Sequence, residues 1–345
     1  MSSVNRGLVS IVIPFHNAEK YIENCLNCVK EQIYKNIEVI FVDDGSDDDT
    51  VAILRKNSDP RVKLISLQKS GVSVARNAGI HEAKGEYITF WDIDDKPHSD
   101  FVSKFVEDIC EYKVDTVISN YDDVFAGEKH VKVVLPWENQ VIEKDDIDNV
   151  LIPRMIYQLK NENAIRGLVW RTFTRTDVLK DNNILFDKEI TMAEDFIFTL
   201  ELYHKSKNIF VEGDSLYDYI RSSTSTMNTY DKNSVDKSII FHKKVVSLLK
   251  RLKLYDANRN RYEANRLSMY SVSISNCVRN GIVHESALSD LQRMHEMLKN
   301  DNIRIWQSEA PLKIKVTGCL LKLKMYRLLI VIYTLKEKRR ISKYN

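Results

Sequence analysis

Apolar runs that alternate with helical spacings constrain this chain more than any other feature. Leu8 to Ile13, Ile37 to Val42 and Val62 to Leu67 are near-continuous apolar stretches, and Glu86 to Trp91 and Asp115 to Ser119 repeat the pattern. Strands of this composition are buried on both faces. Between them, apolar residues recur at helical spacing, as at Tyr21, Ile22, Cys25, Leu26, Val29 and Ile33. Helices are predicted from about Thr50, over Val72 to Ala83, and over Phe101 to Tyr112. Repeated βα units of this length predict an α/β class with a mostly parallel sheet flanked by helices. The middle is less regular, with short strands expected around Leu168–Thr174 and Ile209–Glu212 and a helix from about Ala193 to Lys205. From Asp231 the pattern is helical to the end. A boundary near 230 is therefore expected, giving domains 1–230 and 231–345.

In open α/β sheets, ligands bind outside the carboxyl ends of the strands. Three polar clusters sit at such ends: Pro14-Phe15-His16-Asn17, Asp43-Asp44-Gly45-Ser46 and Asp92-Ile93-Asp94-Asp95. The last places three carboxylates at the exit of a hydrophobic strand, where burying them unpaired would cost several kcal/mol each. Such a cluster suits a divalent cation held by hard oxygen ligands, and the cation suits a phosphate. An EF-hand loop would need a Gly and a late Glu at fixed spacing, and both are missing. An aspartyl phosphatase also places Asp-x-Asp after a strand, but its downstream motifs do not stand out. Asp44 reads as a ligand residue able to accept an N–H from a base edge, whereas Asp47, Asp48 and Asp49 read as turn and helix-start residues. Arg76, in the helix that follows Gly71, matches phosphate oxygens or is an ordinary surface Arg. Glu194-Asp195 opens a helix, where acids also favour the macrodipole. His16, His98, His204 and His242 show no metal-ligand spacing and read as surface or satisfied histidines.

Five scattered cysteines in 345 residues argue for a reducing cytoplasm over secretion. Cys25 and Cys28 form a CxxC inside a helical pattern with no second pair, so they read as core or helix-surface thiols. The polar start predicts no signal peptide, and no apolar run approaches the ~20 residues that span a bilayer. Residues 311–345 carry ten Lys and Arg against one acid, Glu337, for a charge of +9, while the rest carries 41 basic and 48 acidic residues, for −7. This cationic, apolar tail is expected either to lie on an anionic membrane surface or to dock on its own domain. No fold motif supports nucleic-acid binding.

Together these residues resemble family 2 glycosyltransferases of GT-A fold, especially bacterial enzymes that build surface polysaccharides. The match runs over roughly residues 8–225: Ile13-Pro14-x-x-Asn17, Val42-Asp43-Asp44-Gly45-Ser46, Ser73-Val74-Ala75-Arg76-Asn77-x-Gly79, Gly85-Glu86-Tyr87, Asp92-Ile93-Asp94-Asp95 with Pro97, and Glu194-Asp195. His16 departs from the family, which often has Tyr there. The resemblance implies nucleotide contacts from Pro14, Asp44, Arg76 and Asp92, with Asp44 on the base and Asp92 near the ribose. It implies that Asp94 ligates Mn²⁺ or Mg²⁺ bridging the diphosphate, that Asp195 is the catalytic base, and that Arg221 sits on a mobile loop closing over the diphosphate. The implied reaction is inverting transfer from a nucleotide sugar, UDP by family habit, to a glycan or lipid-linked glycan at the cytoplasmic membrane face. An aspartyl-phosphatase-like hydrolase and a non-catalytic nucleotide-sugar-binding partner are the alternatives.

Overall fold

The computed structural model describes residues 7–125, 129–163, 165–221 and 230–341. Ser222 and Ser223 of the expected loop, the first six residues and the last four lie outside them. Two compact units are present. One comprises Met1–Met155 with Asn163–Ser222, the other Ile156–Glu162 with Ser223–Asn345.

The first unit begins as the pattern predicts, with β1 (Val9–Phe15), α1 (Ile22–Glu31), β2 (Ile37–Asp44), α2 (Thr50–Arg55), β3 (Val62–Leu67), α3 (Val72–Glu82) and β4 (Tyr87–Phe90). These four strands are mutually parallel in the order β3-β2-β1-β4. Every residue of β1 and β2 is buried, which accounts for their near-continuous apolar reading, and the buried polar pair that interrupts it is satisfied by the Ser10 hydroxyl donating to Glu38 Oε1 at 2.7 Å. Cys25 and Cys28 are free, buried thiols on α1.

The sheet then becomes mixed. It continues through β5 (Lys96–Pro97), α4 (Phe101–Tyr112), β6 (Thr116–Phe125), β7 (Lys129–Val133), β8 (Gln140–Glu143), α5 (Lys144–Asp146), α6 (Ile152–Ile156), β9 (Thr172–Arg175), α7 (Thr176–Asp181), α8 (Glu194–Lys205) and β10 (Asn208–Ile220). The order β4-β9-β6-β10-β5 completes the sheet. β9 runs antiparallel between β4 and β6, and β10 runs parallel to β6. Strands β5, β7 and β8 escape the sequence pattern because they are short, polar edge pairings. On β10, Tyr217 lies in the core cluster while the neighbouring Asp218 pairs with His98 outside it.

Two glycines show why the site can form. Gly45 has φ +75°, and a Cβ there would lie 2.7 Å from the Lys69 backbone nitrogen. A Cβ on Gly79 would lie 2.3 Å from Val12 Cγ1, so only glycine lets α3 press against β1. That contact holds Arg76 under the strand ends.

The second unit contains α9 (Ser234–Arg251), α10 (Tyr255–Cys277), α11 (Ala287–Asn300), α12 (Leu312–Lys322) and α13 (Tyr326–Ile341) around its own apolar core. His242 corrects the expectation of a satisfied histidine. It is buried with neither ring nitrogen hydrogen-bonded, and burial, then Arg266, push its pKa well down, so the ring is neutral.

Candidate active site

A cleft of about 270 Å³ opens at the carboxyl ends of β1, β2 and β4, lined by Pro14, His16, Tyr21, Asp44, Asp92 and Asp94 among others. Four of the seven predicted site residues, Pro14, Asp44, Asp92 and Asp94, therefore share one surface. The loops are tied together by short-range bonds. The Asn17 N–H donates to Ser46 Oγ (2.9 Å), the Asp47 N–H donates to Asn17 Oδ1 (3.0 Å), and the Glu19 N–H donates to Asp48 Oδ2 (3.0 Å). Asp48 also accepts from the Thr50 N–H, which matches its reading as a turn residue.

Asp44 is buried at the start of α3. Its Oδ1 accepts the Ser70 and Gly71 N–H groups at 2.6 and 3.0 Å, and its Oδ2 accepts Gly71 at 2.9 Å. A carboxylate offers about four acceptor positions. One on Oδ2 remains beside the cleft. His16, read from the sequence as ordinary, lines this end, with its Nε2 2.8 Å from Lys69 Nζ.

Arg76 lies behind the cleft instead of in it. Its guanidinium is 4% exposed and is engaged with three carboxylates. Nη1 donates to Asp195 Oδ1 (2.7 Å) and Glu194 Oε1 (3.2 Å), and Nη2 donates to Asp92 Oδ1 (3.0 Å). The face of Phe186 packs on it at 5.2 Å. Burial alone would lower its pKa, but the three acids more than reverse that. A direct phosphate contact was expected of Arg76. The geometry shows it holding carboxylates, and it joins Asp92, on the cleft wall, to Asp195.

Asp195 enters through a strained turn. Ala193 precedes α8 in the left-handed region at φ 57°. A non-glycine residue there costs of order 1–3 kcal/mol and persists where surrounding structure demands it. The Asp195 side chain keeps 17% exposure and lies behind Asp92, outside the lining of the cleft itself. Its pKa is raised to about 7. Burial is the main cause and Arg76 pulls the other way, while Glu194 and Asp92 add to the rise.

The Asp92–Asp95 loop is short of positive charge. Asp94 is exposed at the cleft, and no cation among the described residues pairs with it. Being hemmed in by protein, and then Asp92, push its pKa up. Asp95 is pushed well up by burial and by both neighbours, and its Oδ1 accepts the Ile220 N–H at 2.9 Å. The Asp92 N–H donates to the Tyr217 hydroxyl at 3.1 Å. Tyr217 in turn stacks on Trp170 at 4.5 Å, so an aromatic stack supports the loop. Sequence reasoning did not single out Tyr217 as a support for the loop. Its signal was the alternation of β10, in which tyrosines flank Asp218. The donor set fits a hard divalent cation. It has unpaired carboxylate oxygens, mutually repelling and open on one side to a phosphate.

Arg221 stands apart. It makes a bidentate pair with Asp123 (Nε–Oδ1 2.9 Å, Nη2–Oδ2 3.0 Å) and lies over Tyr219 at 4.6 Å, and it is not part of the cleft lining. Elsewhere, among the described residues, one trio of potential metal ligands, Asp122, His130 and Asp218, brings its atoms within 4.8 Å of one another. Asp218 is also 3.0 Å from His98 Nε2, so His98 is part of an ion pair and not an isolated surface ring.

Comparison with known proteins bears on this geometry. Residues 10–182 match the sequence profile of glycosyl transferase family 2. EpsJ of Bacillus subtilis, an uncharacterized glycosyltransferase, is 30% identical over 67% of this chain and 66% of its own length. The chain thus spans about two thirds of that relative. The glycosyltransferase GlyG of Streptococcus pneumoniae is 30% identical over 69% of this chain and 79% of its own. The crystal structure of Staphylococcus aureus TarS 1–349 in complex with UDP shares the fold, with a TM-score of 0.68 at 21% identity, covering 97% of this chain and 92% of that one. No helix among the described residues is long and apolar enough to cross a membrane.

Proposed function

Since the chain belongs to glycosyl transferase family 2, we propose that it moves a sugar from a nucleotide-diphosphate donor, UDP-linked as in the complex of its fold relative, to a hydroxyl of a glycan or lipid-linked glycan. The observation that carries this reading is the single guanidinium that holds Asp195, with its pKa near 7, beside the carboxylates of the cleft. A base poised near neutrality suits proton removal from an alcohol.

In this reading Pro14 and Asp44 take the base, and the free acceptor position on Asp44 receives its N–H. Asp92 approaches the ribose. Asp94 would hold Mn²⁺ or Mg²⁺. The ion, when bound, neutralises charge on the leaving diphosphate. Asp195 takes the proton of the acceptor hydroxyl as that oxygen bonds to the anomeric carbon. The bond from that carbon to the diphosphate oxygen breaks, and its electron pair leaves with the nucleoside diphosphate. One displacement inverts the anomeric centre. Arg76 acts as a positioning residue. It fixes the Asp195 carboxylate and keeps its pKa from rising further. Arg221, beside Tyr219, is assigned a closing contact on the diphosphate that requires release of Asp123. The enzyme is placed in the cytoplasm, at the inner face of the membrane.

A panel of nucleotide sugars, assayed for Mn²⁺-dependent release of nucleoside diphosphate, tests the proposal. Turnover of a UDP-sugar, with the product anomer opposite to the donor's, is expected. Phosphate release from sugar phosphates, with no nucleotide sugar consumed, would replace it with the phosphatase reading.

A further inference from the structure

The C-terminal helices α12 and α13 are apolar on two opposite faces. One face builds the core of the second unit: Leu321 and Leu329 are fully buried, and Tyr333 is 4% exposed. On that face the Tyr333 hydroxyl meets Ser271 Oγ and lies 3.1 Å from Thr317 Oγ1. That packing answers the docking alternative, yet it leaves the other face uncovered. On α13, Leu328, Val331, Ile332 and Leu335 are 41–54% exposed, and Leu323, in the turn between the helices, is 69% exposed. Spacings of three and four place the α13 residues on one outward stripe.

Cations border that stripe. Lys322, Lys324, Arg327, Lys336, Lys338 and Arg339 are all exposed. The one acid of the segment, Glu337, is turned inward at 3% exposure and paired with Arg340 at 3.0 Å. Every exposed charge among the described residues of these two helices is therefore positive, in a chain whose remainder carries −7. A second copy of the chain would bring this cationic stripe against itself in a twofold contact. A helix that offers an apolar stripe edged by Lys and Arg suits the boundary of a bilayer rich in anionic lipid.

We propose that the outward face of α12 and α13 is the membrane-docking surface of this protein, inserting Leu328, Val331, Ile332 and Leu335 among anionic lipids without crossing. The inference rests on the proposed peripheral location and not on the transfer chemistry. Co-flotation of the full-length chain with vesicles tests it. One set of vesicles is phosphatidylcholine with 30% phosphatidylglycerol and the other is phosphatidylcholine alone. Binding to the anionic vesicles at least about tenfold stronger than to the neutral ones, weakened by salt, is expected. The variant Leu328→Ser with Ile332→Ser changes only exposed positions. It should lose about tenfold in vesicle binding while its nucleotide-sugar turnover without vesicles stays at the wild-type level. Absence of wild-type binding to anionic vesicles overturns the proposal without needing any variant. So does unchanged binding by the serine variant, or a wild-type dimer in solution that the serine variant splits.

Discussion

Two groups of acids lie on opposite sides of β10, and they differ in what surrounds them. Tyr217 and Asp218 are neighbours on that strand and so face opposite ways. On the Tyr217 side, Arg76 engages Asp92, Glu194 and Asp195, and leaves Asp94 and Asp95 without a cation partner among the described residues. Asp95 and Asp195 are pushed up by burial and crowding, and the exposed Asp94 by the protein around it and then by Asp92. On the Asp218 side, two acids meet two histidines: His98 Nε2 is 3.0 Å from Asp218, and His130 Nδ1 is 3.5 Å from Asp122. There burial, the largest single influence, would raise Asp218, but the His98 hydrogen bond together with the charges of His98, His130 and Lys96 reverses it and the pKa falls. The tighter cluster of ligand atoms is thus the satisfied one. Unbalanced charge, more than close spacing of carboxylates, marks the site where a ligand has something to neutralise.

The largest contrast should come from removing one acid on each side. Asp195→Asn should lower kcat by about 10²- to 10⁴-fold, the usual worth of a general base, with donor affinity nearly unchanged. Asp218→Asn should leave kcat within about twofold, since the residue faces away from the cleft. Comparable losses in the two variants, measured as nucleoside diphosphate release, would erase the distinction.

Asp94→Ala comes next. With the outermost carboxylate gone, donor affinity in Mn²⁺ should weaken by about tenfold or more, and chelator should no longer change it. Calorimetric titration of UDP with and without Mn²⁺ reads this directly. A chelator-sensitive affinity that survives the substitution would move the ion elsewhere, with the Asp122, His130 and Asp218 trio as the place to look.

Arg76→Lys should give a smaller, more diagnostic change. The wild-type rate should fall about tenfold per pH unit below an apparent pKa near 7, because Asp195 must be ionised to accept the proton. Arg76 lowers that pKa against burial. A lysine keeps the charge but cannot hold Asp92, Glu194 and Asp195 with one fork. The acid limb should therefore move to higher pH as kcat drops by about tenfold. A purely structural loss would lower activity at every pH and leave the limb in place.

The parallel half of the fold was legible because β1 and β2 are buried on both faces, which demands a mostly apolar composition. The site was legible in outline for the same reason: a strand buried at every position makes any polar residue at its end conspicuous. What escaped was long-range pairing. Nothing local in Arg76 shows that its partners lie 16 to 119 residues away. Short edge strands such as Lys96–Pro97 carry no period. The tail was visible as an apolar stretch with interspersed cations, but that it has two apolar faces, and which one packs inward, was decided by contacts with α10.

The smallest effect tests the satisfied side. Asp218 has a lowered folded pKa, so its contribution to stability is present above its unfolded value and is lost as the pH falls through the folded one. His98 is raised by its hydrogen bond to Asp218, so its contribution is fully present below its unfolded value, about 6.5, and is lost as the pH rises through the folded one. The pair therefore stabilises most between roughly pH 4 and 6.5. His98 is a third exposed and its charge is screened by water, which holds the effect under about 1 kcal/mol. His98→Gln should lower the unfolding midpoint slightly at pH 6 and match the wild type at pH 8.5, with turnover unaffected at either pH. A variant that lost activity instead, or whose deficit grew with pH, would mean that this side of β10 is coupled to the cleft after all.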